Sequence, residues 1–290
     1  QTPKRFDDPR FFRILMDIRK GNITKECIDL LENAVKRYDT YQEKVCNGEI
    51  TTLDVKPTRL YSTRKNVDIE NNRQNATLPG KPMLLEAVDR YVYRNKLVTD
   101  PAKIRTIKSK YASTMERMCP RTLELKCGSQ VMVTRNIDID LGIANGSRGV
   151  VVRFEGRNPV IRLVHDDTQH TIHPIQFELQ NDTHTITRTQ YPLILAFATT
   201  IHKSQGMTLD FVSMELSNIF TDAQVYVALS RCKRESSLLV SDYNPAKITA
   251  NQDALAYQTY MEDHACYTEK TETVDKTDGV PISIPSDTIL

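Results

Sequence analysis

The run LILAFATTIHKSQGMTLD, residues 193–210, constrains this chain more than any other stretch. Six apolar or small residues lead into Thr199, Thr200, His202, Lys203, Ser204, Gln205 and Gly206, and then the chain turns apolar again. Near-continuous apolar runs mark central parallel strands buried on both faces, and such strands need helical crossovers. FVSMEL (211–216) and SLLVSD (237–242) read as two more strands of the kind. Between them TDAQVYVALSR (221–231) reads as a helix, with Thr221 as N-cap and Gln224 three residues on, a capping box. The expected class is therefore α/β with a parallel sheet. Ligands of such sheets sit beyond the carboxyl ends of the strands, where Thr199 to Gly206 falls. A helix starting there would offer unpaired N–H groups and a positive dipole end, both suited to phosphate. Lys203 adds a point charge, and Thr200, His202, Ser204 and Gln205 add neutral donors. The row suits a phosphate backbone or a nucleotide; a capped helix with a solvated polar face accounts for the same residues. It is not a Walker A loop, because AFATTIH lacks the glycines that let a loop fold around phosphates.

Upstream, FFRILMDIRKGNITKECIDLLENAVKRY (11–38) reads as two helices separated at Gly21. Thr24 is the second N-cap, Ile23 and Ile28 sit at staple positions, and Ile28, Leu31, Val35 and Tyr38 recur at helical spacing. A short strand follows around Arg59 to Tyr61, then a turn and a polar helix; from about Asn71 to Cys119 the sequence reads as irregular and charged, broken at LPGKP. From Leu123 to about Leu179 the texture is all-β, with an Asn145–Gly146 hairpin signal between CGSQVMVTRN and VVVRF. Short strands wedged inside an α/β chain predict an inserted small barrel. ITANQDALAYQTYMEDHA (248–265) reads as a last amphipathic helix, and beyond about Tyr267 a Thr-rich tail reads as disordered.

Composition narrows the partners little. Over 290 residues, 39 basic and 37 acidic side chains leave a net charge of +2, so any basic surface must be local. One basic window exists: Lys103, Arg105, Lys108, Lys110, Arg117, Arg121, Lys126 and Arg135 meet only Glu116 and Glu124. It reads equally as a solvated helix face or a binding patch. The six cysteines show no C-x-x-C pair, which points to reduced thiols inside a cell. His170-x-x-His173 is the nearest approach to metal-ligand spacing, and no metal site is expected. No apolar run approaches the ~20 residues of a membrane span. The opening QTPKRFDDPRFF has neither an initiator Met nor targeting character, which suggests a piece of something longer.

PLILAFATTIHKSQGMTLD and AQVYVALSRCKRESSLLV closely resemble motifs V and VI of the PIF-type DNA helicases, the RecD-like 5'-to-3' branch of helicase superfamily 1. The family pattern reads approximately A-x-T-I-H-K-S-Q-G-x-T-L-D, then G-Q-x-Y-V-A-L-S-R. TRLYSTRKNVDIENN is similar to motif IV, and LELKCGSQVMVTRNIDIDLGIANGSRGVVVRF to the start of the family's inserted barrel. The resemblance covers roughly residues 6–262.

The resemblance implies the second of two RecA-like domains that clamp ATP and walk along single-stranded DNA, with an inserted SH3-like β-barrel. It divides the chain into a helical end of the first motor domain and a linker (1–57), motif IV and a connecting segment (58–122), the barrel (123–185), motifs V and VI with the last helix (186–266), and the tail (267–290). Thr200, His202, Lys203 and Ser204 would face the DNA backbone. Gln205, Gly206, Gln224 and Tyr226 would line the nucleotide cleft, and Arg231 would reach the γ-phosphate. A planar, permanently charged fork suits charge spread over phosphoryl oxygens; read without the resemblance, Gln224 completes a capping box and Arg231 sits well at a helix C-terminus. Ala223 stands where the family usually has Gly, and Ile143 and Ala144 where Leu and Val are commoner. No G-x-x-x-x-G-K-[ST] occurs, and no acidic Walker B strand precedes residue 58. The Mg²⁺ ligands and the phosphate-gripping Lys are thus expected on a first domain outside this sequence. The implied partners are ATP with Mg²⁺, single-stranded DNA and that first domain, with no membrane, in a nucleus, a mitochondrion or an infected cell. A nucleic-acid-binding module without catalysis and an RNA helicase of the same superfamily remain open on sequence.

Overall fold

Asp8 and Thr24 start the first two helices as N-caps. The computed structural model of the protein describes residues 6, 8–94, 96–180, 184–217, 219, 222–257 and 259–261. Helix α1 (Pro9–Arg19) begins with the Asp8 carboxylate accepting from Arg10 N at 2.7 Å, with proline at the first helical position. Gly21 follows its end at φ +74°, the left-handed geometry that glycine adopts without strain. Helix α2 (Lys25–Cys46) starts as expected, Thr24 accepting from Cys27 N. Ile23 is exposed and does not staple. The buried stripe of α2 is Cys27, Leu30, Leu31 and Ala34 rather than Ile28, Leu31, Val35 and Tyr38. Small residues at both ends of that stripe let the helix lie close on the sheet. Helices α1 and α2 pack Phe11, Ile14, Leu15, Leu30 and Leu31 into one core with Leu60, Val212 and Val240. Strand β1 (Thr58–Tyr61) and helix α3 (Arg64–Thr77) follow, Thr63 capping α3.

The stretch expected to be irregular is ordered. It holds β2 (Met83–Glu86), β3 (Val88–Tyr93), β4 (Lys96–Leu97) and α4 (Pro101–Met118). VDRYVY lacks a clean two-residue alternation and fully buries only Tyr91, so the charges of Asp89 and Arg90 hide its strand character. Helix α4 buries only Ile107 and Met115, against Tyr91 and Ile186. Then come β5 (Thr122–Leu125), β6 (Gln130–Val133), β7 (Arg148–Glu155), β8 (Asn158–Leu163), β9 (Gln169–Thr171), β10 (Ile175–Gln180), β11 (His184–Gln190) and β12 (Leu193–Leu195). The expected Asn145–Gly146 turn is present, Gly146 at φ +95° and its N–H on Val133 O at 2.9 Å. These strands divide into an antiparallel sheet β12-β6-β7-β8-β9, a second sheet β10-β11-β3-β4, and the pair β2-β5. Strand β10 therefore leaves the expected meander to pair with β11, which pairs with β3. Among the described residues no pairing closes the five-stranded sheet into a barrel; β12 and β9 are its edges.

The apolar run at residues 193–200 is cut in two. Its first part, β12, pairs antiparallel with β6; its second, β13 (Ala198–Thr200), pairs parallel with β1. With β14 (Val212–Glu215), helix α5 (Gln224–Leu229) and β15 (Leu238–Asp242), the parallel sheet has the order β13-β1-β14-β15. FVSMEL and SLLVSD are thus parallel strands as expected, but of the three expected central strands only β14 is one: among the described residues Ala198–Thr200 and β15 are the edges. The outer side of that edge is covered by a side chain. The Asn71 amide on α3 donates to Ala198 O at 3.2 Å and accepts from Ala198 N at 2.9 Å, standing in for a neighbouring strand. Residues 252–257 and 259–261 are helical, with Tyr257, Tyr260 and Met261 exposed. The expected tail beyond Tyr267 lies outside the described residues. Among those described, no helix is long and apolar enough to cross a membrane.

Candidate functional site

Beyond β13 the chain makes a tight turn where a helix was expected. Ile201 N donates to Tyr61 O at 3.0 Å, carrying the β1–β13 pairing one residue further. Thr200 Oγ1 then accepts from Lys203 N at 3.1 Å, Ser204 N donates to Thr200 O at 3.0 Å, and Ser204 Oγ donates to Ile201 O at 2.7 Å. Met207 N closes the turn on Ser204 O at 2.9 Å, with Gly206 at φ +80°. A Cβ on Gly206 would have open space, so its requirement for glycine is torsional. These bonds turn Thr200 and Ser204 inward and consume the N–H groups of Lys203, Ser204, Gln205 and Met207. The expected fan of backbone donors is therefore spent within the turn. His202, Lys203, Gln205 and Gly206 are exposed, and what they present outward is mainly side chain.

Arg231 is buried and turned inward against this turn. Its Nη1 donates to Ser204 O at 3.1 Å and Met207 O at 3.4 Å, its Nε to Val227 O at 2.9 Å, and its Nη2 to Ser230 Oγ at 2.8 Å. The backbone repeats the link: Leu209 N donates to Arg231 O at 2.9 Å, and Leu209 bridges Cys232 in parallel. The loop after β13 and the end of α5 are thus one hydrogen-bonded unit with Arg231 as its strap. Beside it, burial pushes the Cys232 thiol up to about 11, so this cysteine is an inert packing group.

Helix α5 does not start with the expected capping box. Thr221 lies outside the described residues, Ala223 is the cap in left-handed conformation, and Gln224 is the first helical residue. Gln224 is buried, and neither amide atom has a hydrogen-bond partner among the described residues. Such an amide is costly unless something meets it. Tyr226 is half-buried on the shared core with the Arg19 guanidinium 5.8 Å from its ring, which ties α1 to α5. The structure therefore joins Ser204 to Arg231 directly, puts Gln224 and Tyr226 on the same short helix, and leaves His202 and Lys203 on the outer side. Sequence reasoning missed Asn71, whose clamp on Ala198 fixes the strand that leads into the turn. A polar helix with asparagines four apart, Asn71 and Asn75, both buried, is the only trace it leaves.

Comparison with known proteins fits this arrangement. The family described as "DNA helicase Pif1, 2B domain" matches residues 113–154, and the family described as "Helicase" matches residues 162–266. The "ATP-dependent DNA helicase PIF1" of Xenopus laevis is 33% identical over 265 residues, covering 89% of this chain and 37% of that protein. The crystal structure of Pif1 helicase from Candida albicans superposes with a TM-score of 0.65 at 26% identity, covering 88% of this chain and 58% of that one. That of Pif1 helicase from Bacteroides in complex with ADP-AlF3 and ssDNA superposes at 0.58 and 23% identity, covering 90% and 55%, a likeness of fold. The chain thus spans little more than a third of the length of the Xenopus relative. Two motif-length matches in order, two family matches and the shared mixed α/β fold make the chain, over most of its length, a homologue of the Pif1-type DNA helicases.

Proposed function

We propose that the chain is the C-terminal half of an ATP-dependent helicase that moves 5'-to-3' on single-stranded DNA and unwinds duplex during replication, repair or recombination. The observation that carries this reading is the strap between Arg231 and the turn at 200–206. It couples the end of the sheet where a DNA backbone would lie to a helix end where a phosphoryl group would lie. In this reading the parallel sheet is the second RecA-like motor domain, and the five-stranded sheet corresponds to the family's SH3-like insertion. His202 and Lys203 contact DNA phosphates, while Thr200 and Ser204 hold the turn in shape behind them.

The residues fit a nucleotide. Gln224 offers a buried amide with both atoms to satisfy, and Arg231 offers a fork whose carbonyl partners a phosphoryl group can replace. Gln205, Gly206 and Tyr226 complete that side of the cleft. ATP bound there with Mg²⁺ supplies the free energy of stepping. Its Mg²⁺ ligands and Walker A loop come from a first RecA-like domain, since this sequence holds no G-x-x-x-x-G-K-[ST]. The compartment that follows is one holding DNA: nucleus, mitochondrion or infected cell.

The test measures single-strand binding by this chain against salt. Lys203→Ala should lower the slope of log affinity against log salt by about 0.7, the loss of one phosphate contact; an unchanged slope removes Lys203 from the interface. The chain by itself should show no DNA-stimulated ATP hydrolysis. Turnover clearly above a contaminant control would overturn the two-domain assignment.

A further inference from the structure

The basic window singled out in the sequence is not absorbed by the site above. Most of it lies on α4, where Lys103, Arg105, Lys108, Lys110 and Arg117 are all exposed. Arg90, Arg94 and Lys96 of the β3–β4 hairpin are exposed beside it. The carboxylates within reach are already engaged. Asp89 receives both arms of Arg188, at 2.7 and 3.0 Å, and Glu116 receives Arg188 Nη1 at 3.2 Å. Among the described residues Arg90, Lys103, Arg105 and Lys108 pair with no carboxylate, so the surface keeps its positive charge.

Two features add shape to the charge. Between the hairpin and α4 lies an open cleft of about 340 Å³, walled by Tyr91, Leu97, Val98 and Ile104 and rimmed by Arg90 and Lys108. That volume is within the range of small-ligand pockets. At the far end of the hairpin, Tyr93 and His184 meet at 4.9 Å between ring centroids with their planes tilted by 48°, and Tyr111 of α4 stands 6.1 Å from His184. Arg94, held at φ +45°, lies 5.3 Å from the Tyr93 ring, and Lys110 lies 5.3 Å from the Tyr111 ring. Aromatic rings interleaved with cations, beside a groove, are what a strand with unpaired bases needs: phosphates on the cations and a base face on a ring.

We propose that the α4 face and the β3–β4 hairpin form a second contact for single-stranded nucleic acid, separate from the turn at 200–206. Lys108 holds a phosphate at the rim of the cleft, Lys103 and Lys110, seven residues apart, hold two more from the other flank of α4, and the Tyr93–His184–Tyr111 cluster stacks an unpaired base. An acidic protein could meet the same charge, but it makes no use of a stacking platform beside a cleft. Because the surface is built from other elements than the turn, it stands or falls apart from the function proposed above.

The experiment uses the whole 290-residue chain and a fluorescein-labelled dT20, read by anisotropy across a salt series with a thermal melt on each protein. The triple variant Lys103→Ala, Lys108→Ala, Lys110→Ala should lower the log–log slope by about 2, at about 0.7 per phosphate. Tyr93→Leu should weaken binding roughly five- to tenfold, toward the lower end of what a stacked base contributes, and Tyr93→Phe should restore it. An unchanged slope in a triple variant with a normal melt would overturn the proposal. Poly-glutamate competing as well as an oligonucleotide of equal charge would overturn it too, in favour of an acidic protein partner. Lys203→Ala run in parallel separates the two sites. A slope that responds to Lys203 alone sinks the α4 surface, and one that responds to α4 alone sinks the 200–206 contact.

Discussion

Replacing Arg231 with alanine should damage both stability and turnover, and the structure sets the first magnitude. Toward the described residues the side chain makes three hydrogen bonds of ordinary length, to Val227 O, Ser230 Oγ and Ser204 O, and a longer one to Met207 O. At the lower end for a charged donor, about 1.5 kcal/mol each, the three contribute about 4–5 kcal/mol. Release of a long ordered side chain returns about 2 kcal/mol of rotamer entropy. Orphaned carbonyls add little, because Ser204 O keeps Met207 N at 2.9 Å and Val227 O keeps Ser230 Oγ at 3.0 Å. The expected net loss is about 2–3 kcal/mol, or a fall in Tm of about 3–5 °C for a chain of this size. In a longer polypeptide that supplies the Walker A loop, kcat for ATP should also fall by ~10³-fold or more. Arg231→Lys separates the two effects: an ammonium can hold one or two of the carbonyls and recover part of the melt, but it lacks the planar fork and should not recover turnover. The assay is a thermal melt of this chain beside steady-state ATPase of the longer protein. A melt of Arg231→Ala within about 1 °C of wild type would refute the strap, and near-normal turnover in a folded variant would refute the phosphoryl role.

Three further outcomes test other parts of the site. Gln224→Met removes two unpartnered buried polar atoms, so it should stabilise the nucleotide-free chain by about 1–3 kcal/mol in a urea melt; a lower midpoint would show that the amide has partners. Gly206→Ala should cost about 1–2 kcal/mol through backbone strain alone, since a Cβ there meets no atom within 4 Å; an unshifted midpoint would argue against the left-handed turn. Burial pushes the Glu70 carboxyl up, but hydrogen bonds from Arg73 and Gln74 and the charge of Arg59 outweigh it and hold it below its ordinary 4.5. Its contribution is thus complete above the unfolded pKa and lost as pH falls through the folded one. Glu70→Gln should therefore flatten the acid side of the stability profile below about pH 4.5, and wild-type and variant curves that stay parallel there would refute the assignment.

The parts legible in the sequence are those where one local pattern decides the structure. Thr24 and Gly21 mark helix ends because a hydroxyl and a left-handed glycine solve local backbone problems. FVSMEL reads correctly because a central parallel strand is apolar on both faces; SLLVSD reads correctly as a parallel strand, but its apolar run belongs to an edge of the sheet. What failed depended on partners distant in sequence. LILAFATT looks continuous, yet β6 claims one half and β1 the other. VDRYVY looks like a charged loop until β11 pairs with it. Thr200 and Ser204 offer the same hydroxyls whether they face solvent or cap the turn beneath them. Only the register of β13 against β1, and the Asn71 clamp beside it, decides which. Arg231 was legible as chemistry but not as packing, because nothing local says that its carbonyl acceptors come from residues 204 and 207.

Only Ala196 and Phe197 separate β12 from β13, and both are buried and bonded: Ala196 N to Gln130 O at 2.8 Å, and Arg59 N to Phe197 O at 2.9 Å. Two residues of extended chain reach about 7 Å, so the five-stranded sheet cannot slide past the parallel one at this point. Lys126 Nζ, on Ala76 O and Leu78 O at 3.2 and 2.8 Å, and Ser129 Oγ, on Asn75 Oδ1 at 2.6 Å, tie the start of the same sheet to the end of α3. A load on the five-stranded sheet therefore reaches Ala198–Thr200 by two routes, along the chain and through α3, whose Asn71 holds Ala198.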